Sequence, residues 1–200
     1  MLSVMWTLVV LAVVGAVAGC GARLLADRWI SRNSSAGALV RRGVPELAAA
    51  IGWVLVGGAT SSVVQLVSGL VFVWWCVAIS TVDASVRRLP NSFTLAGYAV
   101  VLAVSACSGA LWTAVIGSAL LAGIHLVLHL ISPGSLGAGD VKLALPLGAI
   151  TGLGGAQIWL LSAFLASVIT LAVSVLLPRR SQIPHGPSMC VAALLALSNW

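Results

Sequence analysis

Leu47 to Val82 reads LAAAIGWVLVGGATSSVVQLVSGLVFVWWCVAISTV, a stretch without a charged residue. A helix needs about 20 apolar residues to cross the hydrocarbon core of a bilayer. The stretch is too long for one crossing, and its polar cluster, Thr60-Ser61-Ser62, falls near the middle. It therefore reads as two helices joined by a turn. The choice between one crossing and two decides the fold, because basic pairs flank it: Arg41-Arg42 before and Arg87-Arg88 after. Two crossings return both pairs to one side. A single crossing would put them on opposite sides, against the tendency of Lys and Arg to collect on the cytoplasmic face.

Outward from this stretch the chain divides in the same way. Before it, an apolar run from Met5 to about Gly21 is followed by an Arg-rich cytoplasmic loop, residues 22–45, with Arg23, Asp27, Arg28, Arg32, Arg41 and Arg42. After it, Asp83, Arg87, Arg88, Pro90 and Asn91 make a short polar break. The runs Ser92 to Cys107 and Leu111 to Ile131 are parted by Ser108-Gly109. Ser132 to Asp140 is a loop rich in Gly, Ser and Pro, which interrupt regular structure. Val141 to Leu177 again needs two segments, parted near Gly152, Gly154 and Gly155. Pro178, Arg179 and Arg180 close it, and a last run extends from about Pro187 to the terminus. The expected fold is all-α: a polytopic membrane helix bundle of about eight transmembrane segments, forming one integral-membrane domain over residues 1–200. With eight spans, all ten Lys and Arg residues fall on one side. Seven spans plus a re-entrant piece is the alternative, since Leu47 to Thr60 is short for a full crossing.

Composition narrows the function classes. Sixty percent of the 200 residues are hydrophobic and 7% charged, and mean hydropathy is +1.15. A soluble domain carries about 25% charged residues, and disorder requires low hydrophobicity. These residues leave no room for a separate soluble catalytic domain, so chemistry falls to helix ends and short loops. The net charge of +6 and pI near 10.1 do not indicate nucleic acid, because the basic residues sit at the ends of apolar segments and no aromatic-rich basic patch accompanies them. Cys20, Cys76, Cys107 and Cys190 stand singly, with no CxxC pair. They suggest neither zinc nor disulfides and read as small core hydrophobes. Val17-Ala18-Gly19-Cys20 matches a loose lipoprotein cleavage pattern. The arginines, however, follow this apolar core rather than precede it, the reverse of a signal peptide, so Cys20 is placed in the first span.

The four acidic residues are the candidates for chemistry, since an acid near a membrane is costly. Asp27 balances the arginines around it, and Glu46 suits a helix N-terminus through the helix dipole. Asp83 closes the third span and Asp140 opens the sixth. Two complete spans separate them, so both return to the cytoplasmic face. Two carboxyls sharing one site cannot both ionise cheaply; one keeps its proton while the other acts as a base. Such a pair activates water and polarises a peptide carbonyl without a metal. The simpler readings are an N-cap role for Asp140 and an interfacial pairing of Asp83 with Arg87. Gly137-Ala138-Gly139-Asp140 favours the catalytic reading, because two glycines let the backbone turn and come close to an extended substrate, which an N-cap alone does not require.

At these residues the chain resembles the prepilin peptidases, or type IV leader peptidases, of the GxGD aspartic membrane proteases. The likeness rests on Asp83 to Asn91, with its Pro90-Asn91, on Gly137-Ala138-Gly139-Asp140-Val141-Lys142-Leu143, and on Ile183-Pro184-His185-Gly186-Pro187. It covers roughly Leu47 to Trp200 and, more weakly, the first span. It implies that Asp83 and Asp140 are the catalytic pair, with Gly137, Gly139, Lys142, Pro90 and Asn91 supporting the motif. It further implies type IV prepilin, pseudopilin or Flp-type prepilin substrates, with the site at the cytoplasmic face of a bacterial inner membrane. Long members carry two CxxC pairs after the first span and also N-methylate the new amino terminus. The stretch from Ala22 to Pro45 holds no cysteine, so the chain looks like the short, peptidase-only form, with no metal, no cofactor and no methyl transfer expected.

The remaining polar residues read more plainly. His125 and His129 are spaced i, i+4 without an evident third ligand, and suit packing or hydrogen bonding across the bundle. His185 stands where an aromatic residue is common in the family and reads as structural. Lys142 either lowers the pKa of a nearby Asp or snorkels to lipid phosphate. Trp74 and Trp75 face lipid or pack. Two rivals stand beside the peptidase: a presenilin or signal-peptide-peptidase type of GxGD protease, and a small proton-coupled transporter. The first typically has a Tyr-Asp pair and a Pro-Ala-Leu motif, whereas Val82 precedes Asp83 here and no Pro-Ala-Leu occurs. The second places its acids near the midplane, often in repeated halves, and no convincing repeat is present. The lipid bilayer and a prepilin are the expected partners; nucleic acid is not.

Overall fold

The computed structural model describes residues 2–34, 40–132, 136–176 and 184–198. The described chain holds eight helices and no strand: α1 (Leu2–Asn33), α2 (Val44–Ala59), α3 (Val63–Val86), α4 (Asn91–Cys107), α5 (Leu111–Ile131), α6 (Ala138–Leu153), α7 (Ala156–Leu176) and α8 (Gly186–Leu197). It is an all-α membrane helix bundle. Four helices, α1, α3, α5 and α7, are long and apolar enough to cross a membrane, and α2, α4 and α8 are shorter apolar helices. The 12 residues of α8 span about 18 Å, against about 30 Å of hydrocarbon. Lipid-facing surfaces are plain: Val9, Val13 and Val17 of α1 and Leu160, Phe164 and Leu171 of α7 are all exposed. Such exposed apolar faces are a liability in water and at home in lipid.

The breaks fall where polar and flexible residues stand. Thr60, Ser61 and Ser62 separate α2 from α3, and the Ser62 hydroxyl accepts the Gln65 N–H at 3.2 Å as an N-cap. Gly109 (φ 74) turns α4 into α5, and Gly155 (φ 92) follows the end of α6. Both need the left-handed region that glycine occupies at little cost. Arg179, Arg180, Ile183 and the Pro133-Gly134-Ser135 part of the breaker loop lie outside the described residues.

One boundary differs from the sequence reading. The loop expected over residues 22–45 is helical as far as Asn33, and α2 begins at Val44. The cause is a buried stripe, Gly15, Gly19, Ala22, Ala26 and Ile30, spaced 4, 3, 4 and 4 along one face. Such a stripe keeps a helix packed although its opposite face has turned polar. Arg28 and Arg32 lie on that exposed side.

The chain forms two compact units, Met1–Arg87 and Arg88–Trp200. In the first, small residues bring α1 onto α2. A methyl on Gly19 would sit 2.5 Å from the Pro45 carbonyl oxygen and 2.6 Å from Glu46 Cα, so backbone meets backbone there. Two indoles stitch α3 to its neighbours: Trp74 Nε1 donates to the Ala18 carbonyl at 3.1 Å, and Trp53 Nε1 to that of Leu70 at 3.1 Å. Trp75 stacks on Phe72. Asp27 lies beside Arg23, but the shorter ion pair joins α1 to α2, from Arg23 Nε to Glu46 Oε1 at 2.7 Å. Glu46 also accepts the Gly43 N–H at 2.8 Å, at the start of α2.

The second unit repeats the device with more force. In α5 and α6, Gly117 meets Gly148 and Gly152; a methyl on Gly148 would lie 2.5 Å from the Gly117 carbonyl oxygen and 2.8 Å from Leu121 Cβ. Without a hydrophobic drive between helices in lipid, such close backbone packing is what holds them. Trp159 of α7 donates to the Gly117 carbonyl at 3.0 Å, and Tyr98 of α4 shares a hydrogen bond with Ser118 of α5 at 2.9 Å. Among the described residues no buried side-chain nitrogen or oxygen lacks a partner, as a low-dielectric surround demands. Cys76 and Cys190 are buried as expected of small hydrophobes, whereas Cys107 is exposed near the end of α4 and Cys20 is half-buried beside Arg23.

Candidate active site

Asp140 sits inside the first turn of α6. The helix begins at Ala138 with Gly137 as its N-cap, three residues earlier than the Val141 start that the sequence suggests. Asp140 is therefore the third helical residue and not an N-cap. Its Oδ2 accepts the Gly137 N–H at 3.1 Å, and its own N–H donates to the Gly137 carbonyl at 3.0 Å. That is half of a capping box. A cap made for solvent would be exposed, but Asp140 is only 8% exposed.

Asp83 lies in the other unit, in the last turn of α3. The helix runs on to Val86, and Arg87 closes it in the left-handed region (φ 53), donating its N–H to the Asp83 carbonyl at 2.8 Å. Asp83 is 5% exposed and follows Val82, which is fully buried. Both acids are thus buried residues of helix ends, and α4 and α5 separate them along the chain.

Three of the supporting residues come together in the second unit. Pro90 is the N-cap of α4, and Asn91 is its first residue. Lys142, one turn into α6, donates from Nζ to Asn91 Oδ1 at 2.9 Å, across 51 residues of sequence. The ammonium is thereby assigned to an amide oxygen, a third option beside the two weighed from sequence. Pro146, four residues on, has no N–H to give the Lys142 carbonyl.

The two glycines of the motif have different explanations. Gly137 adopts φ −77 and ψ 149, an ordinary extended conformation open to any residue. At Gly139 a methyl would lie 3.2 Å from both Cβ and Cδ1 of Leu89. The space above Gly139 is filled by this chain's own Leu89. That corrects the expectation that both glycines open the backbone to a substrate.

His125 and His129 form local hydrogen bonds, not the bonds across the bundle that their spacing suggested. His125 Nδ1 pairs with the Leu121 carbonyl at 2.9 Å, and His129 Nδ1 with that of Leu136 at 2.7 Å. His185, just before α8, pairs through Nδ1 with Thr170 Oγ1 at 2.7 Å. Its ring centroid lies 5.8 Å from that of His125, a neighbour no sequence spacing reveals. Burial, and then the nearby His125, push the His185 pKa down to about 4, so the ring is neutral at physiological pH. Among the described residues no three metal-ligating side chains cluster.

Comparison with known proteins bears on the same segments. A family model described as the type IV leader peptidase family matches residues 70–175, a range that includes Asp83, Asn91, Asp140 and Lys142. A prepilin leader peptidase/N-methyltransferase of Stutzerimonas stutzeri is 29% identical over 141 residues, covering 64% of this chain and 48% of that protein. The chain thus spans about half the length of the curated relative it matches. No solved structure matches it. With more than half of its residues matched by one family model, the chain belongs to the type IV leader peptidase family.

Proposed function

We propose that this chain is an aspartic endopeptidase that removes the N-terminal leader of type IV prepilins, pseudopilins or Flp-type prepilins at the cytoplasmic membrane face, with Asp83 and Asp140 as its dyad. The observation that carries the reading is the burial of both carboxylates, each within the segment that the family model matches. Buried acids are rarely retained for solubility or surface charge. The short connection supports the pairing: six residues of chain lead from Asp83 to Leu89, and Leu89 lies against Gly139, next to Asp140.

In the proposed reaction the ionised carboxylate takes a proton from water while the protonated one donates to the scissile carbonyl oxygen. Water adds to the carbonyl carbon, and the tetrahedral intermediate collapses as the leaving amine is protonated. Neither step calls for a metal or a nucleophilic side chain. The substrate's apolar helix stays in the bilayer and its leader reaches the cytoplasmic side, a reading that the one-sided arginines of the sequence support. Methyl transfer is not part of the proposal, because residues 22–45 contain no CxxC pair.

Cleavage of a purified Flp-type prepilin in proteoliposomes, analysed by mass spectrometry, tests the reading. The expected products are the intact leader and an unmethylated mature chain, with chelators making no difference. Cleavage that survives in both Asp83→Asn and Asp140→Asn would remove it.

A further inference from the structure

We infer that Leu89 is a positioning residue for the proposed cleavage: seated in the notch left by Gly139, it sets where the first turn of α6 holds Asp140. The inference rests on the peptidase reading above and goes beyond it to a residue outside the dyad and outside the GxGD motif.

The contact is tight on both sides. A methyl on Gly139 would lie 3.2 Å from Leu89 Cβ and Cδ1 and 3.4 Å from its Cγ. Carbon atoms rest about 3.5–4.0 Å apart, so even alanine is too large by several tenths of an ångström. One of the two must move. Leu89 belongs to the stiffer partner: the next residue, Pro90, is fully buried and has a ring-locked φ. The Pro90 carbonyl accepts from the N–H groups of Phe93 and Thr94, each at 3.0 Å, and from Thr94 Oγ1 at 3.1 Å. Asn91, one residue further, takes the Lys142 hydrogen bond. Leu89-Pro90-Asn91 thus grips the start of α6 with a wedge at one end and a hydrogen bond at the other. Asp140 lies between those two grips, adjacent to Gly139. A larger residue at position 139 pushes the turn that carries Asp140, and a smaller one at position 89 lets it settle.

A misplacement of 1 Å costs about 100-fold in rate, so a shift of about half that predicts about a tenfold loss. The test compares kcat and KM for prepilin cleavage in proteoliposomes by wild type, Gly139→Ala, Leu89→Ala and the double variant, with Asp140→Asn as reference. Gly139→Ala is expected to lower kcat about tenfold with KM within about twofold, the signature of lost transition-state alignment. The double variant should recover most of that loss, since the new methyl enters the vacated space. Leu89→Ala alone should lower kcat several-fold at unchanged KM.

A fully active Gly139→Ala, or a loss that Leu89→Ala does not relieve, overturns the inference. If Gly139→Ala fails to accumulate in the membrane, Leu89→Ala decides by itself: wild-type kcat overturns the inference, and a lower kcat at constant KM upholds it. Asp140→Asn keeps the two levels apart. Cleavage by that variant removes the peptidase reading and the inference with it. An inactive Asp140→Asn without coupling between Leu89 and Gly139 removes the inference alone.

Discussion

The start of α2 and the start of α6 use the same local device for different ends. In each, a glycine is the N-cap and an acid three residues later accepts its N–H: Glu46 from Gly43 at 2.8 Å, and Asp140 from Gly137 at 3.1 Å. Tertiary context separates them. Glu46 meets the Arg23 guanidinium at 2.7 Å and is only half-buried. Asp140 is buried, and Lys142, two residues on, gives its ammonium to Asn91 instead. A carboxylate paired to arginine is held as a fixed anion. Helix-start geometry does not distinguish the two acids; burial does, with Asp140 buried and Glu46 half-buried against Arg23.

The sharpest way to break this comparison is to remove ionisation from each acid in turn. Asp140→Asn and Asp83→Asn should each lower prepilin cleavage by about 10⁴-fold or more, and the double variant should be no worse, since residues acting as a unit are not additive. Glu46→Gln and Asp27→Asn should cleave within a few-fold of wild type. Equal losses at Glu46 and Asp140, measured as initial rates on well-inserted protein, would erase the distinction.

A second effect concerns the helix behind the site. Gly117→Ala drives a methyl into the Gly148 carbonyl, while at Gly123 on the same helix nothing lies within 4 Å. Gly117→Ala should cost about 1–3 kcal/mol, the range for overpacking a filled interior, and lower the thermal midpoint in detergent. Gly123→Ala should be neutral or stabilise by about 0.5–1 kcal/mol, because alanine loses less backbone entropy than glycine in a helix. If both behaved alike, glycine packing would not be what seats α6 on α5.

Smaller effects sharpen the difference between the two lysine- or arginine-bearing contacts. Lys142→Ala and Asn91→Ala should each reduce cleavage several-fold, with a coupling of about 1 kcal/mol in a double-mutant cycle. Glu46→Gln should leave cleavage intact but lower the thermal midpoint by about 2–4 °C, as expected for a loss of about 1 kcal/mol in a chain of this size. A Glu46→Gln variant with an unchanged midpoint would show the Arg23 pair to be one of the many that contribute nothing measurable.

How much was legible depends on whether the cause is local. The turns at Thr60 to Ser62, at Ser108-Gly109 and near Gly154-Gly155 were readable because a polar cluster or a glycine interrupts an apolar run on the spot. The extension of α1 to Asn33 was missed because averaged polarity hides a stripe: Ala22, Ala26 and Ile30 repeat on one face, a signal that was available. The Arg23–Glu46, Lys142–Asn91 and His125–His185 contacts left no mark in spacing, since each joins residues far apart in the chain.

Taken alone, the sequence determined that the chain is a helical membrane protein, where most of its helices break, and which acids stand near their ends. Hydrophobicity along a segment and the conformational freedom of single residues are local properties, and they act whatever the rest of the chain does. Only the tertiary structure decided that Gly139 is small for the sake of Leu89, that Lys142 serves Asn91, and that Glu46 is spoken for by Arg23. Those outcomes depend on which atoms compete for one volume or one hydrogen bond, and that competition exists only after distant segments have packed.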